Sequence, residues 1–508
     1  MLCKVFCASC TGMDVFTVTV EADVSDGICF YLVGLADNAI RESQQRISTA
    51  LSKYGYRIPG KKIVINLAPA NLKKGGSSFD LAIAISIINA SRQTDLPNLQ
   101  DFVILGELAL DGSLRAVSGA LPMIIHAKEQ GFKACILPKE SAFEGAEIDG
   151  IKIFGAETFG DVIEILKDPS LAQDKIITYS AIEQEETKSQ QYNLDFSQVK
   201  GHTFAKKGLE IAAAGGHNVI MVGSPGSGKT LLAKCVPSIL PLMSKKESIE
   251  TSKIYSIAGE FNSKSGLIKK RPFRQPHHTS TIPSLTGGGT YGLPGEISLA
   301  HNGVLFLDEF AEFSRPVLEI LRQPLEDRQI QISRVRTKYC YPASFMLIAA
   351  MNPCPCGYLD DDNGKCTCST SMISRYMGKI SGPLMDRIDI QLRIRPVPSS
   401  KLLDRGKEES SLIISKRVKL ARDIQLERYK DEKFFSNAQI PSHLLEKYCK
   451  INQEESTYLC RIISKLGVSA RGYSRILKIA RTIADLDNCK QINISHITTA
   501  IQFKSMEL

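Results

Sequence analysis

The stretch VIMVGSPGSGKTLLAKCV, residues 219–236, decides the reading of this chain. Residues 219–222 are four apolar residues in a row, as in a buried parallel strand. Gly223, Ser224, Pro225, Gly226, Ser227, Gly228, Lys229 and Thr230 then match G-x-x-x-x-G-K-[ST] at every position. Residues 231–236 can open a helix. Strand, glycine-rich loop and helix in that order make a phosphate cradle, and a chance glycine turn is the weaker reading. Gly226 and Gly228 let the main chain approach an anion without a Cβ in the way, and successive N–H groups face it. Lys229 is placed to reach the β- and γ-phosphates of ATP, and the Thr230 hydroxyl to ligate Mg²⁺.

Two further apolar runs end in chemistry. Residues 303–309 read Gly-Val-Leu-Phe-Leu-Asp-Glu. Asp308 is expected to orient Mg²⁺ through its waters, and Glu309 to activate the attacking water as a general base. Residues 345–351 form a third run ending at Asn352, whose amide can hold that water against the γ-phosphate. The predicted fold is α/β, a P-loop core on a parallel sheet over residues 196–398. Helices are predicted beyond it, within 399–508, over 412–429, 442–448, 454–466, 472–486 and 495–503, the last capped by Ser495. Ahead of the core, residues 1–170 alternate β-rich runs (16–21 and 62–67) with amphipathic helices (78–90 and 120–130). Residues 171–195 are polar and lack periodicity, as in a linker.

The bulk numbers are compatible with this division. The chain has 508 residues, 43% hydrophobic and 23% charged, enough for several cores. A net charge of +9 permits a nucleic-acid partner without demanding one. Residues 1–20 lack the pattern of a signal peptide, and no apolar run reaches the ~18 residues of a membrane span. The expected location is the cytoplasm, with the 14 cysteines as reduced thiols or metal ligands.

Longer strings carry a more specific resemblance: VGLADNAIRES (33–43), NLAPANLKKGGSSFDL (66–81), EIAAAGGHN (210–218), RPFRQPHHT (271–279), AMNPCPCG (350–357) and SGPLMDRID (381–389). On these the chain resembles the YifB/ComM family of magnesium-chelatase-like AAA+ ATPases over nearly its whole length. The resemblance implies a Lon-protease-like N-terminal domain, an AAA+ core, a helical lid and a hexameric ring. It implies ATP-driven branch migration on DNA, single-stranded or branched, with no membrane partner. By the same resemblance Asn352 is the sensor-1 residue and Arg387 a finger supplied in trans to a neighbouring subunit. Arg471, at the start of a lid helix, resembles the sensor-2 arginine. A planar guanidinium suits charge developing on a phosphate. Pore insertions are implied at residues 263–295, carrying Lys264, Lys269, Lys270, Arg271 and Arg274, and at a basic hairpin over 329–338. A chelatase-type motor acting on a protein partner is the alternative, although the chain lacks the D-x-S-x-S metal-adhesion motif.

Residues 74–78 (Lys-Gly-Gly-Ser-Ser) resemble the Lon serine loop. The stretch 110–118, where Lon carries its lysine, has Arg115 instead, which cannot act as a base near neutral pH. Ser77 and Ser78 are therefore read as structural. Cys354, Cys356, Cys366 and Cys368 form C-x-C-x9-C-x-C, a candidate tetrahedral Zn²⁺ site expected to stiffen the segment between Asn352 and Arg387. Cys3, Cys7 and Cys10 are read as strand-packing residues. The pair His277–His278 stays undecided between structure and pore.

Overall fold

The computed structural model describes residues 2–504 apart from 35–37, 72, 73, 75, 179–193, 263–265, 290, 291, 334–337, 360–364, 399–405, 407, 467 and 468. Most of the predicted linker, Lys264, the acidic stretch 360–364 and Arg334 and Arg336 of the predicted basic hairpin lie outside the described residues.

Seven strands form the first sheet: β1 (Leu2–Thr11), β2 (Asp14–Ser25), β3 (Phe30–Val33), β4 (Lys62–Ala68), β5 (Phe102–Ile104), β6 (Ala134–Pro138) and β7 (Lys152–Ala156). Their order is β3-β4-β2-β1-β5-β6-β7. The long β1–β2 hairpin and the β2–β4 pair are antiparallel, and the remaining pairs are parallel. Helix Asp80–Ala90 is buried along nearly its whole length and packs across β1 and β2. Its run of Ala and Ile is the mark of a helix with no wet face. Cys3 and Cys7 of β1 are buried in the same core, as their strand reading requires.

A second sheet holds the candidate site. Its strands are β8 (Val219–Gly223), β9 (Phe273–Arg274), β10 (Val304–Leu307), β11 (Met346–Met351) and β12 (Ile390–Ile394). They are all parallel in the order β9-β10-β11-β8-β12. Every residue of β8, β10 and β11 is buried, which is why these strands read as continuous apolar runs. Alternate residues of β8 serve opposite faces. Val219 and Met221 join a core with helix Thr203–Gly215 and the C-terminal helices, whereas Ile220 and Val222 join the core on the other face. The C-terminal helices Ser411–Arg428 and Ala470–Leu486 both pack on Thr203–Gly215, so the helical region shares a core with the sheet.

Helices form at Ser411–Arg428, Gln453–Leu466, Ala470–Leu486 and Ile494–Gln502. The predicted helix 442–448 is a 3₁₀ turn, Ser442–Leu444, running into Leu445–Tyr448. The last helix is capped by Asn493 rather than Ser495. Asn493 is extended, its side chain accepts from His496 N, and His496 returns a bond in a capping box. Ser495 sits inside the helix and donates to Asn493 Oδ1 at 2.7 Å. An antiparallel hairpin, Gln329–Ser333 with Lys338–Pro342, precedes β11 where the basic insertion was expected. The N-terminal sheet is docked through helix Ala120–Glu129 against Lys245–Ala258. The buried Glu144 carboxylate there accepts from Leu121 N at 3.1 Å and Ser256 Oγ at 2.5 Å.

Candidate active site

The order of the second sheet puts the first strand, β8, beside the fourth, β11, with the third, β10, next along. Residues leaving the carboxyl ends of these three strands therefore meet, as at a topological switch point of an open α/β sheet. The register pairs Val222 with Met351 and Leu307 with Ala349. Gly223 ends β8, and Asn352 and Asp308 stand one residue past the ends of β11 and β10.

Their side chains converge. Lys229 Nζ donates to the carbonyls of Gly223 at 2.7 Å and Ser224 at 2.9 Å, and to Asn352 Oδ1 at 3.3 Å. Burial lowers the Lys229 pKa, and the Asp308 charge works against that. Thr230 Oγ1 donates to Asp308 Oδ2 at 2.9 Å, so two oxygen donors for a hard cation stand together. Asp308 Oδ1 in turn accepts from Glu309 N at 3.0 Å. Glu309 has φ +52°, a left-handed turn that throws its carboxylate out of the strand direction.

The loop suits a phosphate on its own geometry. Among the described residues the Ser224 and Ser227 hydroxyls are buried without a hydrogen-bond partner, which marks a site awaiting a polar ligand. Gly226 and Gly228 have φ +74° and +88°. A Cβ on Gly226 would meet nothing within 4 Å, so open space lies above the loop. Gly223 is fixed for a different reason: a Cβ there would stand 2.1 Å from the Ile394 carbonyl oxygen of β12.

One partner was only half visible in the sequence. His278 Nδ1 lies 2.8 Å from Glu309 Oε2, and the His277 and His278 ring centroids lie 4.2 Å apart with the planes tilted by 33°. His278 follows β9, the neighbour of β10, so sheet order delivers it to the end of the acidic strand.

The two arginines lie elsewhere. Arg387 and Arg471 line a cleft of about 1080 Å³ together with Glu326, Arg328, Asp389 and Arg475. Asn218, Asn302, Ser344 and Asp389 also line it, and each immediately or closely precedes a strand of the sheet. The cleft is therefore at the amino-terminal ends, separated from the phosphate loop by the length of β8, about 16 Å at ~3.3 Å per residue. Arg387 donates to Pro383 O at 2.8 Å and pairs with Glu326. Asp389 anchors this corner: Arg475 Nε is 3.3 Å from Oδ1 and His217 Nδ1 is 3.4 Å from Oδ2. Burial works to raise the Asp389 pKa, but His217 and the Arg475 and Lys478 charges outweigh it and hold the carboxyl well below its ordinary range.

Two of the basic residues expected at a pore are engaged inside the subunit. Arg271 binds Pro241 O at 2.6 Å, Asn302 O at 2.7 Å and Glu247 at 3.1 Å. Arg274 pairs with Glu296 at 2.6 Å and Glu260 at 3.0 Å. Their charge is spent on joining loops, which a charge run in sequence does not reveal. In the N-terminal region the Ser77 hydroxyl donates to the Glu107 carboxylate, and Arg115 lies 3.5 Å from that same carboxylate. Lys74 is buried with its amine on the Pro69 carbonyl. The four cysteines after Asn352 gather their sulfurs within 4.8 Å of one another.

A mixed N-terminal sheet, a five-stranded parallel P-loop sheet and a helical C-terminal region define an AAA+ protein with a Lon-like α/β domain. Comparison with known proteins agrees. Three family models match along the chain: "Subunit ChlI of Mg-chelatase" over residues 20–141, "Magnesium chelatase, subunit ChlI" over 195–402, and its C-terminal model over 408–504. The competence protein ComM of Haemophilus influenzae is 40% identical over 510 residues, covering 99% of this chain and 98% of that one. The YifB protein of Escherichia coli is 38% identical over 499 residues, 98% of this chain and 96% of that one. An archaeal Lon protease of Methanocaldococcus jannaschii is 29% identical over 146 residues, 29% of this chain and 22% of its own. The chain belongs to the YifB/ComM family of magnesium-chelatase-like AAA+ proteins.

Proposed function

We propose that this chain hydrolyses ATP in a homo-oligomeric ring and couples turnover to movement along DNA. The observation that carries the reading is the convergence of Lys229, Thr230, Asp308 and Asn352 on one end of the sheet, while Arg387 and Arg471 face the other. In a closed ring of identical subunits, one subunit's amino-terminal face can meet its neighbour's phosphate loop.

The chemistry follows from the residues. Lys229 exchanges its carbonyl partners for β- and γ-phosphate oxygens. Thr230 and Asp308 are the donors that would hold Mg²⁺, which when bound offsets phosphate charge. Glu309, once parted from His278, takes a proton from water as the water oxygen attacks the γ-phosphorus. The bond to the bridging oxygen breaks, ADP carries away that oxygen, and the Asn352 amide keeps the water in line. Arg387 and Arg471 from a neighbour stabilise the charge that develops.

We divide the chain into a non-proteolytic Lon-like domain (1–170), a linker (171–195), the ATPase core (196–398) and a helical lid (399–508). The non-proteolytic reading is supported by the stretch 110–118, which carries Arg115 where Lon has its lysine; Ser77 is held on the Glu107 carboxylate instead. Full-length likeness to a competence protein and the basic hairpin before β11 support DNA as the partner. The chelatase family models favour the second reading, a motor that remodels a protein partner. ATP turnover measured with and without branched, single-stranded and duplex DNA at low salt separates the two. DNA is expected to raise turnover, and that stimulation to weaken with salt; a rate unmoved by DNA but raised by a partner protein would overturn the first reading.

A further inference from the structure

Past Asn352 the chain turns into the four-cysteine loop, and its sulfurs have the spacing of a metal cage. Cys354 Sγ lies 3.3 Å from Cys356 Sγ and 3.8 Å from Cys366 Sγ, and Cys356 Sγ lies 3.7 Å from Cys366 Sγ. Cys368 completes a set in which all four sulfurs are within 4.8 Å of one another. Disulfide sulfurs stand about 2.05 Å apart, so these are four separate thiols. An ion bound at about 2.3 Å from each of four sulfurs in a regular tetrahedron sets S···S edges of about 3.8 Å. The three spacings among Cys354, Cys356 and Cys366 fall on that value or inside it. Main-chain N–H groups of Tyr358 and Thr367 face the Cys356 sulfur, the arrangement that steadies a thiolate ligand. An all-thiolate donor set selects a soft or borderline ion such as zinc over magnesium or calcium. Cys354 is buried and the other three are partly exposed, which leaves a path of entry.

The loop's position adds a second consequence. Gly357, directly after Cys356, has φ +86°, and a Cβ there would stand 2.6 Å from Cδ of Pro225 in the phosphate loop. Asn352, two residues before Cys354, accepts from Lys229. The cysteine loop therefore rests on the phosphate loop and continues directly from the residue that contacts its lysine.

We propose that Cys354, Cys356, Cys366 and Cys368 bind a structural Zn²⁺, and that the loaded knuckle holds Asn352 and Pro225 in place for nucleotide turnover. The second half rests on the ATP-hydrolase reading above; the first half does not. Metal analysis of the full-length chain, purified without chelator, should find about one zinc per chain. Replacement of zinc by cobalt should give the visible absorption of tetrahedral cobalt thiolate. The double variant Cys366→Ser with Cys368→Ser should lose zinc, and Gly357→Ala should keep it. Both should hydrolyse ATP at least roughly tenfold more slowly than the parent, the scale on which supports of a site act. Gly357→Ala guards against the double variant simply failing to fold, since it leaves all four ligands intact. Wild-type chain with little zinc and no cobalt–thiolate absorption overturns the metal site. Gly357→Ala or a folded, zinc-free double variant turning over ATP at the parental rate overturns the coupling. Zinc-loaded wild type without ATP turnover overturns the hydrolase reading and leaves the metal site standing.

Discussion

Replacing Lys229 by Met asks how much nucleotide affinity rests on one ammonium. Methionine keeps the length and the apolar stem and removes the charge. In the structure Lys229 is 9% exposed, and its amine is held by two carbonyls and the Asn352 amide oxygen. Losing those bonds costs stability, but burying no ammonium restores much of it, because burial already disfavours the charged form. The net change in folding stability is expected within about 1 kcal/mol, a few degrees in melting temperature. Binding behaves differently. Two charge-assisted bonds to phosphate oxygens are worth about 3–6 kcal/mol gross. Surrendering the carbonyl partners offsets part of this and leaves about 3 kcal/mol, or roughly 150-fold in Kd. Titration with a fluorescent ATP analogue, alongside a thermal melt, reads both quantities. Affinity within about threefold of the parent, roughly 0.7 kcal/mol, would refute the phosphate role of Lys229.

Three other outcomes are expected. Glu309→Gln should bind ATP and hold it unhydrolysed, with turnover down at least about a hundredfold; bound nucleotide analysed after incubation would be ATP, and finding ADP instead would remove Glu309 as the base. Arg387→Ala should bind ATP yet fail to turn it over in the assembled ring, and mixing it with Glu309→Gln subunits should restore partial turnover, because the interface between an Arg387→Ala subunit's own Glu309 and a Glu309→Gln neighbour's Arg387 is complete. No activity beyond the sum of the two separate variants would count against action in trans. The Asp389 corner predicts an acid response. A carboxyl whose folded pKa is depressed contributes stability that is complete above the unfolded value near 3.9, and that drains as pH falls below it towards the lower folded value. Asp389→Asn should cost about 3–5 kcal/mol at neutral pH by stranding Arg475. The gap between parent and variant in denaturant midpoints should narrow as pH falls below about 4, whereas a constant gap would mean that the charge on Asp389 is not what holds this corner.

The sequence by itself carried the phosphate loop, the acidic strand, the strand ending at Asn352, the helical C-terminal region and the family. Each is a local signal: a parallel strand buried on both faces is written as an apolar run, and the chemistry sits on the next residue. Helix ends were less legible, since Asn493 and Ser495 are equally good caps until the backbone chooses one. Tertiary structure decided everything that depends on which strands become neighbours. Two-residue β9 has no periodicity to detect, yet its place beside β10 brings His278 onto Glu309. Arg271 and Arg274 looked like free charge and are bound to Glu247, Glu296 and Glu260, far along the chain or in the next loop. Arg387 and Arg471, a finger in trans and a sensor-2 arginine by resemblance, line one cleft at the opposite end of the sheet, a location their motifs do not reveal. A linear chain records what each segment prefers, but the partner of an ion pair, and the end of a strand that a loop returns to, are fixed only when separate cores pack into one sheet order.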